Sequence, residues 1–263
     1  MRGGAIPPIG ISAEVLALCG DIGYPELATY ADFIGWASSK YIHVFVISGN
    51  HEYWSKKTAT EDMDKLIKEI CGRFPNVTPL INSVITVNTK TQSFDIFGAT
   101  FWTDTSSQSG IVRWGMSDYK KITIRVDRDG VRKRKPIMPA DTSMMHRNTV
   151  ASLKAFLKTA KNPVIVLSHH LPSKKCSRQD DEMTIAYASN LDELLEPPII
   201  LWAHGHSHQS EEIKIGEVTV VSNQMGYIDQ TTTETDYREF MFVDVTQLLL
   251  DRGSVSVEQL QEL

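Results

Sequence analysis

The chain has 263 residues, 41% hydrophobic and 22% charged, the composition of an ordinary globular protein and long enough to bury a sizeable core. Its formal net charge of -5 argues against a general nucleic-acid binder, whose affinity rests on neutralising phosphates with lysine and arginine. No run approaches the ~20 apolar residues of a membrane span and the first residues lack the apolar stretch of a signal peptide. Three cysteines, Cys19, Cys71 and Cys176, without zinc-type pairing, point to a reduced, cytoplasmic protein.

Strands and helices alternate through the first half. Apolar runs and three- and four-residue spacings predict a strand at 14–19, a helix from Pro25 to Ser39, a strand at 42–48 and a helix from Thr60 to Arg73, the βαβ pattern. Residues 78–102 change character: the alternation in 83–87 and 93–97 predicts antiparallel strands. Residues 103–138 mix Ser, Thr, Gly and charge around Trp114 and read as an insertion or lid. Within it, Lys120, Lys121, Arg125, Arg128, Arg132, Lys133, Arg134 and Lys135 stand against only Asp127 and Asp129. That stretch either overhangs the site and draws in anions, or is a solvated hairpin.

A helix from Asp141 to Lys161, capped by Asp141 or Thr142 and ended by Pro163, leads to a strand that delivers His169. Residues 190–196 read as a short helix, 199–203 as the strand before the last histidine cluster, and 212–222 and 238–245 as hairpin or edge strands. No repeat, linker or low-complexity tract divides the chain, so 1–263 reads as one domain.

Four of the apolar strands end on an oxygen or imidazole donor. Asp21 follows Gly20; Asn50, His51 and Glu52 follow Gly49; His169 and His170 follow Ser168; and His204, His206 and His208 follow Ala203. Strands of an open parallel sheet present their carboxyl ends on one edge, so these donors would surround a single spot. Each has a plainer reading alone: Asp21 as a helix cap, Asn50 and His51 as a turn, His169 and His170 as the end of a sheet. Six of the eight histidines fall in three clusters at strand ends, and together the segments read as a metal site.

A mixed Asp, Asn and His set without thiolates suits Mn²⁺, Fe or Zn²⁺ better than Ca²⁺. Two such ions, ~3.5–4 Å apart, lower the pKa of a shared water and clamp a phosphoryl group, so hydrolysis is the natural use. No Ser-His-Asp set, phosphate-cradling glycine loop or dinucleotide fingerprint competes.

In order and spacing, Gly20-Asp21, Gly49-Asn50-His51-Glu52, His169-His170 and Gly205-His206-Ser207-His208 resemble the motifs of the calcineurin-like metallophosphoesterase family. The similarity spans about residues 14–227, and residues 97–104 look like a segment of its uncharacterised microbial branch. The resemblance implies an α/β fold, an αββα four-layer sandwich of two facing mixed β-sheets flanked by helices, with a dinuclear site at its top. It implies that Asp21 bridges two metals, that Asn50, His169 and His206 complete the second, and that His208 belongs to the first. His51 would protonate the leaving group or stabilise the phosphate, while Glu52, His170 and His204 would support the ligands or touch substrate.

The family's opening Asp-x-His, which supplies two ligands of the first metal, is not found upstream of Asp21. Residues 1–4 look like the loop that follows that strand, so the expectation is a start internal to a longer product or a naturally shortened form. Two readings follow. The first is a hydrolase of small phosphomonoesters or phosphodiesters acting by metal-activated hydroxide, with two divalent ions or, in this chain, one. The second is a catalytically impaired binding scaffold.

Overall fold

The computed structural model describes residues 9–10, 13–89, 92–128, 131–227 and 232–252. The loop expected at residues 1–4 and the charge of Asp129 lie outside them. In chain order the first half runs β1 (Val15–Cys19), α1 (Ala28–Lys40), β2 (His43–Ile47), α2 (Thr60–Cys71), β3 (Val77–Pro79), β4 (Ser83–Asn88) and β5 (Ser93–Ala99). The 103–138 region holds α3 (Ser109–Gly115), α4 (Asp118–Lys121), β6 (Thr123–Arg128) and β7 (Val131–Pro136). Then come α5 (Pro139–Leu157), β8 (Val164–Ser168), β9 (Ile199–Ala203), β10 (Glu211–Ile215), β11 (Val218–Ser222), α6 (Thr232–Thr235) and α7 (Val245–Asp251).

The strands form two principal sheets and one hairpin. β1, β2 and β3 make a parallel three-stranded sheet, and β10-β11-β9-β8-β5-β4 a six-stranded mixed one in which β5, β8, β9 and β11 run parallel. The donor-bearing strands are therefore divided, β1 and β2 in one sheet, β8 and β9 in the other, rather than lying in one parallel sheet. Among the described residues the smaller sheet is wholly parallel, not mixed.

Alternation of side chains along each strand sorts the core into layers. In β2, Val44 and Val46 face α1 and α2, where Tyr30, Phe33, Ile34, Met63, Ile67 and Ile70 recur at helical spacing. Phe45 and Ile47 face the other way, onto Ile96, Ile165, Leu167 and Leu201 of the second sheet. The opposite faces of those strands, Phe97, Val164, Val166 and Trp202, pack with Leu153 of α5. Helices, sheet, sheet and helix thus make the four-layer sandwich, each fully buried aliphatic or aromatic side chain contributing roughly 1.5–3 kcal/mol.

Three local expectations differ from the structure. The helix expected from Asp141 begins at Pro139, because proline suits the first helical position; Asp141 sits in the first turn and accepts the Met138 amide at 2.9 Å. Only residues 192–194 of the expected 190–196 helix form a turn of 3₁₀ helix. No strand forms over 238–245. Met241 and Val243 do face the inter-sheet core while Phe240 and Phe242 are exposed, but no neighbouring strand pairs with them among the described residues, and Asp244 caps α7 by accepting the Gln247 amide at 3.0 Å.

The basic stretch forms the β6–β7 hairpin and lies over α2. Arg125 pairs with Asp62 at 2.6 Å, Lys135 with Asp141 at 2.7 Å, and the Lys121 ammonium rests 3.4 Å from the centre of the Trp54 ring. Lys120, Lys121, Arg125, Lys133, Arg134 and Lys135 do not line the cavity described next. The solvated hairpin is the arrangement found.

Candidate metal centre

The tips of β1, β2 and β9 line an open cavity of about 390 Å³, which also takes Gly115–Asp118 from the 103–138 region and Tyr227 from further along the chain, and His169 at the tip of β8 is buried beside Asn50 and His206. The loops after β1 and β2 are held by one buried side chain. Glu52 accepts the amides of Asp21 (2.9 Å) and Gly49 (2.8 Å) on one oxygen, and those of Ile22 (2.6 Å) and Gly23 (3.3 Å) on the other. Two glycines permit the approach. A Cβ on Gly49 would overlap the Asp21 carboxylate, and Gly20, at φ 89°, would bring one within 2.5 Å of His169 Nδ1.

Around His169 the donors converge. Its Nδ1 donates to the Cys19 carbonyl at 2.8 Å, which leaves Nε2 of the neutral ring as a lone pair. That lone pair lies 3.0 Å from Asn50 Oδ1, 3.0 Å from His206 Nδ1 and 3.5 Å from Asp21 Oδ1. Asp21 Oδ1 also accepts the His51 amide at 3.0 Å. Asp21 and His206 hold positive φ values, 57° and 74°, as does His208 at 53°, a left-handed backbone that costs energy outside glycine and collects at functional sites.

The electrostatics call for a cation. Burial raises Asp21 to about 7 and Glu52 to about 7, in each case with a neighbouring carboxylate adding to the shift, and it raises Asp118 as well. Burial also holds His169 below the ordinary histidine range and His170 and His206 well below it, the neighbouring imidazoles adding to the effect on each. The buried Glu52 and Asp118 and the half-buried Asp21 therefore face imidazoles whose charging burial disfavours, and ligand atoms of Asp21, Asn50, His169 and His206 converge on one another. A divalent ion satisfies all four, and the residues fit one.

The remaining expected site residues divide. His51 lines the cavity, its ring stacked 3.5 Å from that of Trp54 with Nε2 3.9 Å from Asp21. His208 lines the same cavity but stands outside the convergent group, its ring 4.3 Å from Tyr227 and its amide donating to Gln224 at 2.8 Å. His170 is buried behind the floor, with Nδ1 3.1 Å from the Thr100 carbonyl and its ring 4.3 Å from that of His206. His204 is buried on the other side of Gly205 and turns towards Glu211. Glu52 is wholly buried and touches backbone amides.

Sequence reasoning missed Asp118, a buried carboxylate that accepts Asn50 Nδ2 at 2.9 Å and Trp54 Nε1 at 2.6 Å. Nothing marks it in a basic stretch. Trp54 was more legible: three residues beyond His51 in a helical turn, its ring falls on the same side.

A two-sheet sandwich with imidazole, amide and carboxylate donors at its strand tips is the architecture of the metal-dependent phosphoesterases. Comparison with known proteins gives the particular family: the model of the calcineurin-like phosphoesterases matches residues 10–210, and the chain belongs to that family, whose members bind divalent metals. The uncharacterized protein L509 of Acanthamoeba polyphaga mimivirus is 26% identical over 253 residues, covering 90% of this chain and 85% of its own. Among solved structures, the phosphopantetheinyl hydrolase PptH of Mycobacterium tuberculosis shares the fold, with a TM-score of 0.65 at 13% identity over 82% of this chain and 80% of that one.

Proposed function

We propose that this chain hydrolyses small phosphomonoesters or phosphodiesters, with Asp21, Asn50, His169 and His206 holding a divalent ion and His208 serving a neighbouring position. The observation that carries the reading is the His169 Nε2 lone pair set within 3.0–3.5 Å of three other ligand atoms. When bound, Mn²⁺, Fe or Zn²⁺ supplies an acidified water and a clamp on the phosphoryl oxygens.

The protein side chains supply position and protons. Asp118 orients the Asn50 amide, Glu52 fixes the loop that carries Asp21, and the Cys19 carbonyl fixes the tautomer of His169. His51, pinned on Trp54 beside Asp21, faces the cavity where a leaving oxygen would sit, and donates a proton to it or a hydrogen bond to the phosphate. Three unpaired thiols fit a reducing compartment, the cytoplasm, and among the described residues no helix is long and apolar enough to cross a membrane.

A binding scaffold is the second reading, favoured by the position of His208 outside the convergent group. A chromogenic phosphodiester and monoester assay with added Mn²⁺ separates the two. Turnover that needs the metal and falls in a His51→Ala variant supports the hydrolase; metal binding without turnover above that variant supports the scaffold.

A further inference from the structure

A second group of donors lies on the far side of the β9 tip. Cys176, at the end of the 174–176 turn, His204 and Glu211, the first residue of β10, place their ligand atoms within 4.8 Å of one another. Cys176 and His204 are 1% and 2% exposed. His204 Nδ1 lies 3.0 Å from the Gly205 carbonyl, which can only accept, so Nδ1 donates and Nε2 is the ring nitrogen left to face Glu211. Nε2 lies 3.4 Å from Glu211 Oε1, and neither atom has a hydrogen-bond partner. Among the described residues no lysine or arginine pairs with Glu211. An unpartnered ring nitrogen and an unpartnered carboxylate oxygen thus face each other beside a thiol that hydrogen-bonds Glu211, and a cation between them satisfies all three groups.

We propose that Cys176, His204 and Glu211 bind Zn²⁺, with water as the fourth ligand, at a site separate from the cavity floor. The donor chemistry selects the metal: a thiolate, an imidazole and a carboxylate suit zinc, and hard cations such as Mg²⁺ or Ca²⁺ avoid sulfur. The spacing also fits. Tetrahedral zinc with bonds of about 2.0–2.1 Å to nitrogen and oxygen sets those two atoms roughly 3.3 Å apart, close to the separation of His204 and Glu211.

Without a cation, burial and the Glu211 charge keep the Cys176 thiol protonated, raised to about 12. Binding the ion exchanges that proton for a sulfur–metal bond, and one proton leaves to solvent for each ion bound. The bound ion ties the 174–176 turn to both ends of the 204–211 loop. His206 and His208 reach the cavity from that loop, so the site braces two of the candidate ligands from behind.

Cobalt reports the site without reference to turnover. The full chain loaded with Co²⁺ is expected to show a near-ultraviolet thiolate-to-cobalt charge-transfer band, present in the Cys19→Ser and His169→Ala variants and lost in Cys176→Ser. X-ray absorption of the wild-type zinc protein should show one sulfur at about 2.3 Å, which decides the matter even if Cys176→Ser fails to fold. A wild-type spectrum with only nitrogen and oxygen neighbours, or a band that survives Cys176→Ser, overturns the proposal and leaves a proton shared by His204 and Glu211. The sulfur signal is independent of whether the chain hydrolyses phosphate esters.

Discussion

Asn50 donates its side-chain amide to Asp118 at 2.9 Å, and that bond decides which end of the amide faces His169. A carboxylate cannot donate, so Nδ2 must point to Asp118 and Oδ1 is left 3.0 Å from His169 Nε2, among the converging lone pairs. Trp54 Nε1 donates to the same Asp118 oxygen, which couples the ring beneath His51 to the amide beside His169. A residue of the 103–138 region therefore sets the orientation of the Asn50 amide at the tip of β2.

Asp118→Ala should lower metal affinity or activity on the order of 10–100-fold, the usual cost of removing a group that orients a ligand. Asp118→Asn keeps an acceptor oxygen and should lose less. Metal titration by calorimetry, alongside KM and kcat for a phosphodiester, separates a positioning role from a contact with substrate. Unchanged metal affinity in Asp118→Ala would show that Asn50 is oriented by something else.

Glu52 is the fold's commitment to this site. Each of its oxygens accepts two backbone amides from the loops after β1 and β2, so Glu52→Gln turns one oxygen into a donor aimed at two other donors. At about 1–3 kcal/mol for each buried group left unsatisfied, the loss should be roughly 2–6 kcal/mol in urea unfolding, with the metal site disturbed as well. A variant as stable as the parent would refute the role assigned here.

The donors were legible because strand ends are legible. Asp21, Asn50, His169 and His206 each follow shortly after a continuous apolar run, and the first polar or glycine residues beyond such a run mark the strand's end. What one sequence leaves open is which sheet a strand joins, since β1 and β9 are equally apolar; their division between two sheets depends on non-local pairing. The same holds for Asp118, whose role comes from a contact 68 residues away in the chain, and for Glu211 with Cys176, which have no metal-type spacing. The 238–245 segment shows the limit of pattern alone: its alternation marks inside from outside, but a strand also needs a partner.

His51→Ala should leave metal content unchanged while kcat falls about 10²–10⁴-fold, the range for a general acid or base. The ring stands 3.9 Å from Asp21 through Nε2 but is outside the convergent group, and its plane is stacked on Trp54. Elemental analysis with steady-state kinetics on one preparation checks both halves. Loss of metal together with activity would move His51 from proton transfer to ligation.

The pH dependence of stability should differ between metal-free and metal-loaded protein. Burial raises Asp21 from 3.8 to about 7, so the folded chain holds this proton more tightly than the unfolded chain. Its contribution is complete below about pH 4 and is lost as pH rises through about 7, so the metal-free protein should weaken over that window. A bound cation needs Asp21 deprotonated, so its stabilisation should grow over the same window, while His169 and His206, held neutral by burial, compete little for protons. Thermal melts with and without Mn²⁺ from about pH 5 to about pH 8 should diverge with rising pH, approaching about 2.7 kcal/mol where the metal is at a hundred times its Kd. A gap of constant width would mean that no raised carboxylate takes part in binding, and would remove Asp21 from the ligand set.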